Sequence, residues 1–197
     1  MDFVRPARAV TMQLVAGRGH LAAVVEAVQA AECSVWIATA NLKELMVEDT
    51  RVRPGRRRSA RGGAYRSVLE AFDELAARGV ELRILHAGEP SLAFRAALRR
   101  LPRLARGGGL ALRRCPRVHL KVVVVDGARL YLGSANWTGA GLGAKGTGRR
   151  NFELGLVTSD EGLCDEVQAL YERIWRGAEC AGCKLRGREC AAPLADL

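Results

Sequence analysis

The chain has 197 residues, 49% of them hydrophobic and 26% charged, with a formal net charge of +10. That length makes one domain with a sizeable core, and no stretch approaches the roughly twenty apolar residues of a membrane span. The N-terminus, Met1-Asp-Phe-Val-Arg-Pro-Ala-Arg8, lacks an apolar core followed by a cleavage site, so a cytoplasmic protein is expected.

Residues 20 to 31 read as a helix and Ser34 to Ala40 as a buried strand. Residues 48 to 63 lack apolar periodicity and read as a long loop. Val68, Leu69, Phe72 and Leu75 form a helical stripe within a helix expected over 65–78, closed by Gly79. Val80 to Leu85 reads as a strand, Ser91 caps a helix running to about Leu101, and Leu110 to Arg113 is a short strand. Asp160 or Ser159 caps a last helix reaching Trp175, with Leu163, Val167, Leu170 and Ile174 on one face. Strands alternating with helices, then hairpins, indicate an α/β layered domain with a mixed β-sheet flanked by helices. The domain is expected over 1–176, followed by a short Cys-rich tail over 177–197. His20 reads as a surface residue and His86 as a strand-end residue. Trp36, Trp137 and Trp175 read as core, although Trp137, next to Asn136, is also placed to line a groove.

The chemistry is concentrated in residues 119 to 136, which follow the pattern H-x-K-x4-D-x6-G-S-x-N. On a strand His119 and Lys121, two apart, share a face. The four valines after them argue for a buried strand, and Asp126-Gly127 for a turn. Arg129 to Leu132 then returns as the second strand of a hairpin. This brings Ser134 and Asn136 back to the neighbourhood of His119 and Lys121. Such a set suits an anionic phosphorus centre. Lys121 and Asn136 can hold non-bridging oxygens, and Ser134 can add a hydrogen bond. His119 is the group able to act as nucleophile or general acid near neutral pH. A structural hairpin with a satisfied histidine would explain neither the spacing nor the Gly-Ser-x-Asn loop.

The pattern resembles the HKD motif of the phospholipase D superfamily, and the chain resembles its small bacterial endonucleases with one such motif over roughly residues 20 to 176. The resemblance implies a phospholipase D-like fold and a phosphodiesterase that needs no catalytic metal. His119 would attack phosphorus to give a phosphohistidine, and a second histidine would protonate the leaving oxygen. The site would comprise His119, Lys121, Ser134 and Asn136, with Asp126 and Gly133 structural, Asp126 by capping its turn. A carboxylate often follows downstream in the superfamily and hydrogen-bonds the imidazole. Glu153, in a strand read over 151–157, is its candidate here. With one motif in the chain, the two histidines imply a twofold homodimer with its hairpins facing each other across the axis.

Position makes the arginines informative. Arg51, Arg53, Arg56, Arg57, Arg58, Arg61 and Arg66 form one acid-free cluster, and Arg95 to Arg117 a second, ending in Arg114 and Arg117 beside His119. Lys145, Arg149 and Arg150 form a third, between Asn136 and Glu153. Such clusters would attract a polyanion, DNA or RNA. The plainer alternative is a set of solvated loops and helix faces. A nuclease is therefore the first reading. A phospholipid-directed hydrolase without stable membrane insertion is the second, and an idle nucleic-acid-binding module the third.

Cys180, Cys183 and Cys190 close the chain in the order C-x2-C-x6-C. The spacing fits part of a structural zinc or iron–sulfur site, and it resembles the cysteine tail of some RecB-like nucleases. The fourth ligand would be Cys33, Cys115, Cys164 or a non-cysteine group. Cys115 is preferred because it adjoins the catalytic strand, whereas a straight helix would hold Cys164 roughly 20 Å from Cys180.

Overall fold

The computed structural model describes residues 3–48, 65–106 and 108–196. The cluster from Arg51 to Arg61, with Arg56, Arg57 and Arg58, lies outside them. β1 (Gln13–Ala16) is followed by a π-helix (Leu21–Glu26) that runs into α1 (Ala27–Gln29), then β2 (Ser34–Thr39) and β3 (Met46–Glu48). β4 (Tyr65–Ser67) leads into α2 (Val68–Ala77), β5 (Glu81–His86), α3 (Leu92–Arg99), α4 (Pro102–Ala105) and β6 (Ala111–Arg114). The hairpin of β7 (Val122–Val125) and β8 (Arg129–Gly133) precedes β9 (Leu154–Thr158) and α5 (Glu161–Trp175).

Seven strands make one mixed sheet in the order β1-β9-β8-β7-β2-β5-β6, and β3 and β4 form a separate ribbon. Strands β2, β5 and β6 run parallel, whereas β7, β8, β9 and β1 meet their neighbours antiparallel. Both faces are covered, which is why the valine run of β7 does not alternate with polar residues. Val123, Val125, Tyr131 and Ile84 belong to the core beneath the π-helix, α2 and α3. Val122, Val124 and Leu130 belong to the core beneath α5, with Cys164, Tyr171 and Trp175.

The caps behave as their chemistry requires. Ser67 accepts from the Leu69 N–H, Ser91 from Phe94 and Asp160 from Leu163, each satisfying an orphan donor of the first turn. The second helix starts at Val68 rather than at 65, because Tyr65–Ser67 pairs with β3 and Ser67 then caps α2. His20 is not a surface residue. Its ring is wholly buried, packs edge-on against Tyr131 with centroids 5.6 Å apart, and places Nδ1 3.0 Å from the Gly17 carbonyl oxygen. Trp137 is buried against Phe72 and so belongs to the core, not to a groove.

Candidate active site

The site residues collect at one end of the sheet because register puts them there. β2 and β5 end at that edge, paired at Thr39 and His86, and the antiparallel β7 begins there, opposite Ala38. β8 ends there and β9 begins there, with Gly133 opposite Gly155. Crevices beyond the carboxyl ends of parallel strands are the usual binding edge of α/β sheets.

His119 and Lys121 lie just ahead of β7, and the Gly133 N–H donates to the Lys121 carbonyl at 3.1 Å, tying the segment to the end of β8. Lys121 Nζ lies 3.1 Å from His119 Nε2 and 2.8 Å from the His119 carbonyl oxygen. Burial pushes the Lys121 pKa down, and the charge of Glu153 opposes that shift.

Ser134 follows β8 and is locked to β9. Its hydroxyl donates to the Glu153 carboxylate, and its oxygen accepts the Leu154 N–H at 3.1 Å. Asn151 Nδ2 donates to the other Glu153 oxygen at 3.0 Å. The hydrogen bonds of Glu153 thus run to Ser134 and Asn151 rather than to the His119 ring. Ser134 has its proton committed to the carboxylate, so it acts here as a positioning residue. Asn151 and Glu153 precede the strand, which starts at Leu154 and not at 151.

Asn136 is oriented from β2. Its Oδ1 accepts the Asn41 N–H at 3.1 Å and stands 3.3 Å from Thr39 Oγ1, so Nδ2 is left as a donor. Thr39 Oγ1 also accepts the Trp137 N–H at 2.9 Å. Thr39 and Asn41 escaped the sequence reading. Their one signal is that polar residues close an otherwise apolar strand. His86 sits buried on the neighbouring strand end, with Nδ1 2.9 Å from the Gly88 carbonyl oxygen, and burial lowers its pKa.

Gly133 is required sterically. A Cβ there, or at Gly155 opposite, would collide with the ring of Tyr131, which lies against both. Burial raises the Tyr131 pKa to about 12. Asp126 stands at the far end of β7, in a left-handed conformation with φ 53°. It caps not its own turn but the entry to β2, where its carboxylate accepts the N–H groups of Cys33 at 2.7 Å, Ser34 at 2.8 Å and Glu32 at 3.0 Å. Burial alone would raise its pKa, and the three N–H donors of Ser34, Cys33 and Glu32 carry it below the ordinary value.

The third basic cluster lies in the loop between β8 and β9. Lys145 and Arg149 are exposed, and Arg150 donates to Thr147 Oγ1 at 3.0 Å. That loop is anchored to the site by the Asn151 N–H on the Ala140 carbonyl oxygen. Arg117 donates to the Glu179 carbonyl oxygen of the tail at 3.4 Å, and Arg114 donates to the Ala87 carbonyl oxygen at 3.1 Å and the Glu189 carbonyl oxygen at 3.4 Å and pairs with Glu89.

The tail itself folds back onto α5. Leu194 is buried with Trp175 and Tyr171, and a side chain at Gly177 would strike the backbone of Ala195. Cys115, Cys180, Cys183 and Cys190 line one cavity of about 500 Å³, and His119 lines it too. All four are free thiols, and among the described residues no group of three or more His, Cys, Asp or Glu side chains is placed to hold a metal ion. No described helix is long and apolar enough to cross a membrane.

No curated protein shows significant sequence similarity to this chain. Among solved structures, the chain is similar to a phospholipase D family member, Nuc from Salmonella typhimurium. The TM-score is 0.57 and the identity 18%, covering 85% of this chain and 95% of that one. It is similar to NucT from Helicobacter pylori, with a TM-score of 0.56 and 16% identity over 84% of this chain and 95% of that one. An archaeal chromatin protein, TrmBL2, whose structure shows a novel mode of DNA binding, matches with a TM-score of 0.52 and 15% identity over 84% of this chain and 52% of that one. At such identities these likenesses concern the fold. The family described as "Cardiolipin synthase, PLD-like domain" matches residues 24–175, which contain the whole motif from His119 to Asn136 and also Glu153. By that match and by the fold, the chain belongs to the phospholipase D-like family.

Proposed function

We propose that the protein is a phosphodiesterase that cleaves nucleic acid through a phosphohistidine intermediate without a catalytic metal. The observation that carries this reading is the His119–Lys121 pair, with Nε2 3.1 Å from Nζ at the sheet end that also carries Ser134 and Asn136. A phosphodiester entering the site would draw Lys121 Nζ and Asn136 Nδ2 onto its non-bridging oxygens, as charge-assisted and neutral donors respectively. Recruiting the ammonium frees the Nε2 lone pair, which attacks phosphorus in line with the leaving oxygen. A second histidine gives that oxygen its proton and then takes one from the water that hydrolyses the P–N bond. Glu153 acts in this scheme through Ser134 and Asn151, fixing the β8–β9 loop edge against which the phosphate sits. The donor set is one imidazole, one ammonium, one hydroxyl, one carboxamide and one carboxylate. Mg²⁺ sites are built from a different set, carboxylates together with substrate phosphates.

The second histidine is supplied by a second copy of the chain. Leu14, Leu154 and Leu156 are 66%, 55% and 38% exposed, Leu14 lies opposite Leu156 in the sheet, and Phe152 beside Glu153 is fully exposed. This apolar strip next to the site supports a twofold homodimer. The net charge of +10 and the exposed Lys145 and Arg149 on the loop next to the site support a polyanionic substrate. The family's description favours a second substrate class, phospholipid headgroups.

One assay tests these readings together: protein in EDTA against labelled single- and double-stranded DNA, RNA and phosphatidylcholine vesicles. Cleavage of nucleic acid, abolished in His119→Ala, is expected. Turnover of the lipid alone transfers the mechanism to the second substrate class, and strict dependence on added Mg²⁺ overturns it.

A further inference from the structure

The structure gathers residues 65 positions apart in the chain, Cys115 and Cys180, around a single cavity that His119 also lines. Two features prepare that cavity for a soft metal. The first is the turn geometry of the tail. The Cys183 N–H donates to the Cys180 carbonyl at 3.2 Å with Gly182 at φ 71°, and the Arg188 N–H donates to the Leu185 carbonyl at 3.0 Å with Gly187 at φ 74°. The first turn brings Cys180 and Cys183 round to the same wall, and the Gly187 N–H on the Cys190 carbonyl at 3.0 Å closes the loop that carries the third sulfur. The second is elimination among the other cysteines. Cys33 is exposed at the entry to β2, and Cys164 is sealed inside the core near the start of α5.

We propose that Cys115, Cys180, Cys183 and Cys190 are the four ligands of a structural metal centre, a zinc ion or an iron–sulfur cluster. Four thiolates complete either one, and the thiols release their protons as the centre binds. All four line the same cavity of about 500 Å³, and metal binding would draw their sulfurs together there. The consequence for the enzyme is positional. Cys115 lies four residues before His119, so the centre clamps the segment that presents the nucleophile to the tail and, through Leu194 and Trp175, to α5.

The test is independent of enzymatic activity, and so of the substrate reading. Full-length protein is purified anaerobically, its zinc, iron and acid-labile sulfide are measured, and its cysteines are alkylated before and after chelation and mapped by mass spectrometry. A stoichiometric centre is expected, with iron and sulfide marking a cluster and zinc alone marking a single ion. Cys33 should label at once, and the four ligand cysteines only after the metal is removed. Chelation should also increase hydrogen exchange across residues 115–121 more than across β2. Cys115→Ser should lose the metal and Cys33→Ser should keep it. A preparation with neither zinc nor iron, or one in which the four cysteines label as fast as Cys33, overturns the proposal. Should Cys115→Ser fold poorly, the labelling pattern of the unaltered protein decides alone.

Discussion

Lys121 and His119 hold each other in the free protein, with Nζ 3.1 Å from Nε2 and 2.8 Å from the His119 carbonyl oxygen. In the proposed mechanism Lys121 fixes the His119 ring and releases it when a phosphate draws the ammonium away. His119→Ala should therefore abolish turnover by orders of magnitude while substrate affinity changes little, because a nucleophile is lost and not a binding group. Lys121→Ala should lose turnover and affinity together. Single-turnover cleavage and filter binding separate the two effects. Near-normal cleavage by His119→Ala would refute the mechanism.

Asp126 binds stability to pH through the entry of β2. Its folded-state pKa lies below the ordinary value of 3.8. Its contribution is therefore complete above that value and is lost as pH falls through the folded-state pKa. Asp126→Asn keeps a residue tolerant of φ 53° but removes the charge that three N–H groups share. It should cost about 1–3 kcal/mol at pH 7, and its urea midpoint should vary less with pH on the acid side than that of the unaltered protein.

Thr39 ties the end of β2 to the Asn136 loop. Thr39→Val keeps the volume but leaves the buried Trp137 N–H without its acceptor and removes one neighbour of Asn136 Oδ1. We expect a loss of about 1–3 kcal/mol and a fall in kcat larger than any change in KM. A variant with unchanged kcat would show that Asn41 suffices to orient the amide.

The exposed pair Lys145 and Arg149 should act on affinity and its salt dependence, not on chemistry. Replacing both by alanine should flatten the slope of log affinity against log salt by about 0.9 for each phosphate contact removed. Cleavage of a small chromogenic phosphodiester should be unchanged. Salt-independent binding by the unaltered protein would remove the main support for a nucleic-acid substrate.

Assembly follows from the chemistry of the second histidine. The protein should sediment as a dimer at micromolar concentration, and Leu14→Asp together with Leu156→Asp should dissociate it and remove activity. Heterodimers of His119→Ala and unaltered chains should stall after the first step or fail to start. Full activity in a demonstrated monomer would contradict a shared site.

The local chemistry was readable in the chain. The spacing from His119 to Asn136, the valine run of β7, the caps Ser91 and Asp160 and the α5 stripe are short-range patterns, and the physics that reads them is also short-range: strand alternation, capping and helical periodicity. Only tertiary structure could decide the rest, because it depends on partners brought together by register. No local pattern shows that Asp126 caps a strand more than ninety residues earlier in the chain, that Thr39 and Asn41 orient Asn136, or that Tyr131 demands glycine at both 133 and 155. The burial of His20 and Trp137 came from the covering of both sheet faces. The partners of Arg114 and Arg117 were likewise decided by the fold, with Arg114 against Ala87 and Glu89 and Arg117 against the Glu179 carbonyl of the tail. Charge and spacing state what a side chain can do, and the packing of distant segments selects which of those roles each one performs.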